Sequence, residues 1–185
     1  MDRAIADRLH DWVAGSDVAV DALGVLTDFG SPLIFYWLTL PVVLLLLSLR
    51  RVALASWVAV SVWVGGCINV GVKAAVGRDR PALDDPVATA SGNSFPSGHA
   101  MLSTIVYGAV VVAVWPHLPA RWRTPVAVVA ATWVALIGFT RLALGVHWFT
   151  DVLGGFAMGG AWLALCTRAR DAISAPSGDP SGPRR

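Results

Sequence analysis

The stretch "SPLIFYWLTLPVVLLLLSL", residues 31 to 49, carries no charged side chain. The hydrocarbon core of a bilayer is roughly 30 Å thick and takes about 20 helical residues to cross. Four further runs, at about 52 to 76, 98 to 115, 125 to 143 and 149 to 167, are similarly apolar, each with at most one charged side chain. Inside hydrocarbon every backbone N–H and C=O must be satisfied within the chain, which restricts such runs to helices. The chain is therefore predicted to be all-α, a polytopic membrane helical bundle of about five transmembrane helices. A composition of 56% hydrophobic and 14% charged residues agrees with a membrane protein of one domain.

Arginines in short loops tend to stay cytoplasmic. Arg50 and Arg51 close the first span, Arg121 and Arg123 fall in the loop after the third, and Arg168 and Arg170 follow the fifth, all at one end of the bundle. This predicts an N-terminus outside, a C-terminus inside, and a multi-pass protein of the inner (plasma) membrane. A net charge of +2, without a basic run interleaved with aromatics, excludes nucleic acid as the expected partner. Cys67 and Cys166 both lie in apolar spans and are expected as buried free thiols. No secretory signal is expected, since the first long apolar run ends in Arg-Arg and is followed by more spans.

Residues 1–30 place Ile5, Leu9, Trp12 and Val13 at helical spacing among acidic residues, predicting amphipathic interfacial helices that cover or anchor the bundle. Residues 31–170 form the expected transmembrane domain. Residues 171–185, rich in Pro, Gly and Ser, are expected as a disordered cytoplasmic tail. "GGFAMGG", residues 154 to 160, has the small residues that close helix packing needs. Residues 77 to 96, dense in Gly, Pro, Asp and Ser, make a loop on the outward side.

Polar residues are costly at membrane depth, so those that persist at span ends are candidates for function. The chain's only lysine, Lys73, stands at the outward end of the second span, with Arg80 and Pro81 shortly after it. In "PSGH", Pro96 and Ser97 open a helix whose free N–H groups and positive dipole end suit an anion. His99 falls in its first turn. In "TRLALGVHWFTD", residues 140 to 151, placing His147 in the first turn of the fifth helix sets His147 and Asp151 on one face. The carboxylate then orients the imidazole as in a catalytic triad. Arg141 adds a planar guanidinium suited to phosphate oxygens. Three cationic side chains, a helix N-terminus and two histidines point to phosphoryl transfer, which needs chiefly positioning and charge stabilisation. Two histidines and one aspartate among three cations would repel a metal, so neither metal nor other cofactor is expected.

These three pieces resemble the signature of the type-2 phosphatidic acid phosphatase superfamily: K-x6-R-P at Lys73, Arg80 and Pro81, P-S-G-H at Pro96 to His99, and S-R-x5-H-x3-D at Thr140, Arg141, His147 and Asp151. The resemblance spans residues 73 to 151, and the surrounding five spans resemble the short bacterial members. It implies that His147 attacks phosphorus to give a phosphohistidine, oriented by Asp151. It also implies that His99 protonates the leaving oxygen and later activates water, while Lys73, Arg80, Arg141, Ser97 and the Gly98 N–H hold the phosphate. Thr140 departs from the family's serine but keeps the hydroxyl, so activity with altered packing is expected. The related soluble haloperoxidases are set aside by so apolar a chain.

The expected activity is that of a metal-independent lipid phosphatase with an outward site. Polyprenyl (undecaprenyl-type) diphosphate is the favoured substrate, and phosphatidylglycerol phosphate, phosphatidate and polyprenyl sugar phosphates remain open. The bilayer is the expected environment, and a homo-oligomer is compatible with the chain. A non-catalytic lipid-phosphate binder or transporter and a purely structural membrane subunit are the rival classes.

Overall fold

The computed structural model describes residues 2–83 and 86–174. Two helices, α1 (Asp2–Ala14) and α2 (Asp17–Asp28), precede α3 (Pro32–Ser48). Next come α4 (Val52–Ala59) and α5 (Gly65–Val76), joined through a π-helical turn at Val60–Val64, then α6 (Gly98–Val114), α7 (Ala120–Ala143) and α8 (Phe149–Ser174). No strand occurs among the described residues. Five helical segments are long and apolar enough to cross a membrane: Asp17–Ser48, Val52–Val76, Gly98–His117, Ala120–Ala143 and Phe149–Ser174. The all-α polytopic bundle expected from the apolar runs is the fold observed.

Several boundaries differ from the sequence expectation. The first apolar segment, Asp17–Ser48, takes in α2 as well as α3 and so begins earlier than residue 31. Helix α7 starts at Ala120 rather than 125, which puts Arg121 and Arg123 in its opening turns instead of the loop. Arg123 there lies over the Trp115 ring at 5.7 Å. Residues 171 to 174, expected in the tail, complete α8, because no Gly or Pro interrupts the chain before Pro176. The rest of that expected tail lies outside the described residues. Cys166 is buried beside Trp57, but Cys67 is exposed on the outer surface of the bundle, and both are free. Helical periodicity turns Cys67 away from the face that carries buried Asn69 and Gly66.

Helix α6 is the centre of the bundle, packed chiefly against α8 and α7. Its residues Met101, Leu102 and Ile105 are fully buried with Phe35 of α3 and Val62. Close approach of α6 and α8 depends on two glycines of the "GGFAMGG" run. A Cβ on Gly155 would stand 2.8 Å from the Ser97 carbonyl oxygen, and one on Gly159 would stand 2.6 Å from that of Met101. Backbone cannot yield as a side chain does, so the helices would have to part. Gly159→Ala is expected to destabilise the protein by about 1–3 kcal/mol, read as a lower Tm in detergent. Gly160→Ala, whose Cβ meets nothing within 4 Å, is the matched control and should leave Tm in place.

The π-helical turn has a local partner. An i→i+5 pattern frees a carbonyl from the regular ladder, and the Trp162 indole N–H of α8 donates to Ser61 O at 3.0 Å. This pins the second span to α8 below the polar end of the bundle. At that polar end meet the C-termini of α5 and α7, the N-termini of α6 and α8, and the two loops between them. Helix α1 covers the same end, with Ala6 and Val13 buried and Leu9 packed against Ala100, Leu142 and Val152.

Candidate active site

Both loops are shaped by residues in the left-handed region. Gly77 (φ +63°) terminates α5, donating its N–H to Lys73 O at 3.0 Å. Gly145 (φ +68°) turns the chain after α7, and glycine adopts that conformation without a Cβ penalty. After this turn the N–H groups of Val146 and His147 both point to Arg141 O, at 3.2 and 3.3 Å. Six residues of sequence separation thus collapse to one carbonyl.

His147 precedes α8 by two residues rather than standing in its first turn, as the sequence expectation had it. Asp151 is in that first turn and reaches back, its Oδ2 accepting the Trp148 N–H at 2.9 Å. This is the return half of a capping box. It aims the carboxylate at the residue before the helix, and His147 Nδ1 lies 3.3 Å from the same oxygen. The i, i+4 relation therefore survives although its helical premise does not.

The other ring nitrogen settles the tautomer. His147 Nε2 lies 3.2 Å from Arg80 Nη1. A guanidinium can only donate and a carboxylate only accept. Nε2 must then carry the lone pair and Nδ1 the proton, with Asp151 and Arg80 enforcing the same form from opposite sides. The imidazole is 3% exposed and Asp151 is fully buried. Burial, opposed by the Asp151 hydrogen bond and reinforced by Arg80, Lys73 and Arg141, lowers the His147 pKa to about 4. The ring is neutral at pH 7.

The cations converge on this ring. Arg80 is held by Val146 O at 2.7 Å, Gly92 O at 2.9 Å and Ser91 O at 3.0 Å. Burial, opposed by the Asp151 charge, holds its guanidinium below the ordinary value. Lys73 Nζ donates to Asn93 O at 2.7 Å and Ser94 O at 3.2 Å, and Asn93 Nδ2 returns a bond to Lys73 O at 2.8 Å. His99 is half-buried and within electrostatic range of Arg141, His147, Arg80 and Lys73. Ser97 is buried and caps α6 by accepting the Ala100 N–H, while its own N–H donates to Asp151 O at 3.0 Å. A hydroxyl that accepts in this way still has its hydrogen to give. Gly98 opens α6 with Asn69 Oδ1 only 3.2 Å from where a Cβ would be. All the sequence-predicted residues are thus at one end of the bundle.

Several residues beside them were not assigned from sequence. Ser94, fully buried, donates to Asp151 Oδ2 in a short hydrogen bond. Arg78 reaches Asp151 Oδ1 at 2.7 Å. Thr27 of α2 accepts from Arg141 Nη1 at 2.8 Å and lies 2.9 Å from Thr140 Oγ1, which donates to Ile137 O at 2.6 Å. The hydroxyl that Thr140 keeps therefore belongs to a chain of donors running from Arg141 into the backbone. Arg141 is 8% exposed, and its Nε is buried without a partner among the described residues. Asn69 was detectable as an amide inside an apolar span. Ser94 and Thr27 carry no such signal, being ordinary hydroxyls in a loop and in a helix remote in sequence.

A neutral imidazole with a defined lone pair, a carboxylate behind it, three cations around it and a second histidine at a helix N-terminus can hold and transfer a phosphoryl group. Known proteins are similar to this chain in sequence and in fold. Phosphatidylglycerophosphatase B of Bacillus subtilis is 38% identical over 94 residues, 50% of this chain and 46% of that protein. Decaprenylphosphoryl-5-phosphoribose phosphatase of Mycolicibacterium smegmatis is 36% identical over 105 residues, 54% of this chain and 52% of that protein. The chain thus spans about half the length of the curated relatives it matches. The crystal structure of a transmembrane PAP2-type phosphatidylglycerolphosphate phosphatase from Bacillus subtilis superimposes with a TM-score of 0.83 at 25% identity, covering 95% of this chain and 87% of that one. The model of the PAP2 superfamily matches residues 54–174, which hold every residue of the predicted phosphate site, and the chain belongs to that superfamily.

Proposed function

We propose that the protein is a metal-independent phosphatase of a membrane lipid, working through a phosphohistidine at His147. The observation that carries this reading is the His147 ring, made neutral by burial and held in one tautomer by Asp151 and Arg80. Nε2 attacks phosphorus and forms the N–P bond as the bond to the leaving oxygen breaks. His99 supplies the proton that oxygen takes up. Water, deprotonated by His99, then attacks the phosphohistidine and releases inorganic phosphate. Lys73, Arg80, Arg141, the Ser97 hydroxyl and the Gly98 N–H hold the equatorial oxygens, where charge develops. Arg80 would exchange its contact with Nε2 for one with the phosphate as the substrate enters.

Likeness in sequence and in structure to phosphatidylglycerophosphate phosphatase of Bacillus subtilis favours phosphatidylglycerol phosphate as substrate. Polyprenyl diphosphate, favoured from the sequence, is the second reading, and the likeness to a phosphatase named for a polyprenyl lipid supports it. The arginines at 50, 51, 121, 123, 168 and 170, all at the end opposite the site, support an extracytoplasmic active face in the inner membrane.

The test is phosphate release in EDTA by the purified protein from phosphatidylglycerol phosphate, polyprenyl diphosphate and phosphatidate. Release from the first is expected. Release only from polyprenyl diphosphate would replace the substrate, loss of release in EDTA would overturn metal independence, and no release from any folded preparation would favour a binding role. A reporter fused after Arg170 that lies outside the cell would overturn the outward face.

A further inference from the structure

Arg78 lies between two carboxylates that come from opposite ends of the chain. Its Nη1 donates to Asp151 Oδ1 at 2.7 Å and to Thr150 Oγ1 at 2.6 Å, while its Nη2 donates to Asp2 Oδ2 at 2.8 Å. The guanidinium also lies 5.6 Å above the Trp148 ring. Asp2 in turn accepts the Thr150 hydroxyl and, at 3.3 Å, its N–H. The first turn of α1 is thereby tied to the first turn of α8.

The two oxygens of Asp151 have separate duties. Oδ2 receives His147 Nδ1, Ser94 Oγ and the Trp148 N–H. Among the described residues Oδ1 receives only Arg78. A fully buried carboxylate without a cation tends to take up a proton or turn toward whatever donor it finds. Either change would release Nδ1 and with it the tautomer of His147. Asp2 supplies the charge that keeps Arg78 in place, since burial of its carboxyl is outweighed by the Thr150 and Arg78 hydrogen bonds, which hold it below its usual range.

We infer that Arg78 is a positioning residue that fixes the plane of Asp151 through Oδ1, and that Asp2 makes helix α1 part of the catalytic unit by holding Arg78. Asp2 lies outside residues 54–174, the part matched by the superfamily, so this link joins the covering helix to the shared core. The inference rests on the phosphohistidine reading above.

The experiment measures kcat and KM for phosphate release from the lipid that the wild-type protein hydrolyses. The variants are Arg78→Gln, Arg78→Lys, Asp2→Asn and the Asp2→Asn/Arg78→Gln pair, with Tm followed alongside. Loss of a residue that orients a reacting group is on the order of 10–100-fold, so Arg78→Gln is expected to lower kcat by that factor with KM little changed. Arg78→Lys should restore part of the loss, keeping the charge without the two-pronged reach. Asp2→Asn should lower kcat by a smaller factor, and that factor should vanish in the Arg78→Gln background. A rise in KM at constant kcat would make Arg78 a substrate contact and overturn the inference. So would an Asp2→Asn effect of equal size with and without Arg78, which would mean that Asp2 acts through the fold alone. Should Arg78→Gln not fold, Asp2→Asn and Arg78→Lys decide: unchanged kcat in both overturns the inference. Wild-type protein that releases no phosphate overturns the phosphatase reading and this inference with it, whereas wild-type turnover with unchanged variants overturns only the inference.

Discussion

Phosphate release by His147→Ala is expected to fall to background, a loss on the order of 10⁵-fold or more, as when a covalent catalyst is removed outright. No neighbour can take its place. Lys73, Arg80 and Arg141 are donors, and His99 stands in the first turn of another helix. The protein should remain folded, because the core around Met101, Leu102 and Ile105 does not include the ring. Tm and gel-filtration profile check that point. The charge state can be read directly. With a pKa near 4, His147 should stay neutral until well below pH 6, seen as a ring ¹⁵N resonance that is absent from His147→Ala. The sign follows from the lone pair: a proton on Nε2 removes the attacking electrons and sets two positive groups, His147 and Arg80, against each other. Phosphate release from His147→Ala near the wild-type rate would overturn the proposed nucleophile.

Asp151→Asn is expected to lower turnover by roughly 10³–10⁴-fold, because it reverses the tautomer that orients a catalytic imidazole. An asparagine has one acceptor oxygen where Asp151 has two. If that oxygen faces His147 Nδ1, Ser94 and the Trp148 N–H, the amide NH₂ meets Arg78 Nη1, donor against donor. If the amide turns over, three donors lose their acceptor and His147 must place its proton on Nε2, where the lone pair is needed. Both arrangements also leave Arg78 without its buried counter-charge. Asp151→Glu is not expected to rescue the loss, since an extra methylene moves the carboxylate away from the buried position where it meets His147 Nδ1, Ser94, the Trp148 N–H and Arg78. Activity in Asp151→Asn within tenfold of wild type would show that Arg80 alone orients His147.

The candidate site was legible because membrane helices make polar residues conspicuous. Lys73, His99, Arg141 and Asp151 stand out against Val, Leu and Ala, and the small residues of "GGFAMGG" declared a close helix contact that Gly155 and Gly159 make with α6. Two placements were misjudged for local reasons. His147 lies outside α8 because Asp151 caps the helix from within, and a side-chain cap reaches back beyond what helical spacing alone predicts. Cys67 is exposed because a membrane protein's apolar exterior is as hydrophobic as its interior, so composition cannot tell the two faces of a span apart.

The sequence by itself determined the bundle, its spans and the cluster of charges at one end, since hydrocarbon admits only helices and tolerates few charges within them. Tertiary structure decided which partner each polar group has. Thr27 meets Arg141 across 114 residues and Asp2 meets Arg78 across 76, and neither residue type announces that pairing. Helical period and hydropathy act over one turn or one span, whereas a hydrogen bond needs two groups within about 3 Å. That proximity is created only when α1 and α2 fold back over the ends of α7 and α8.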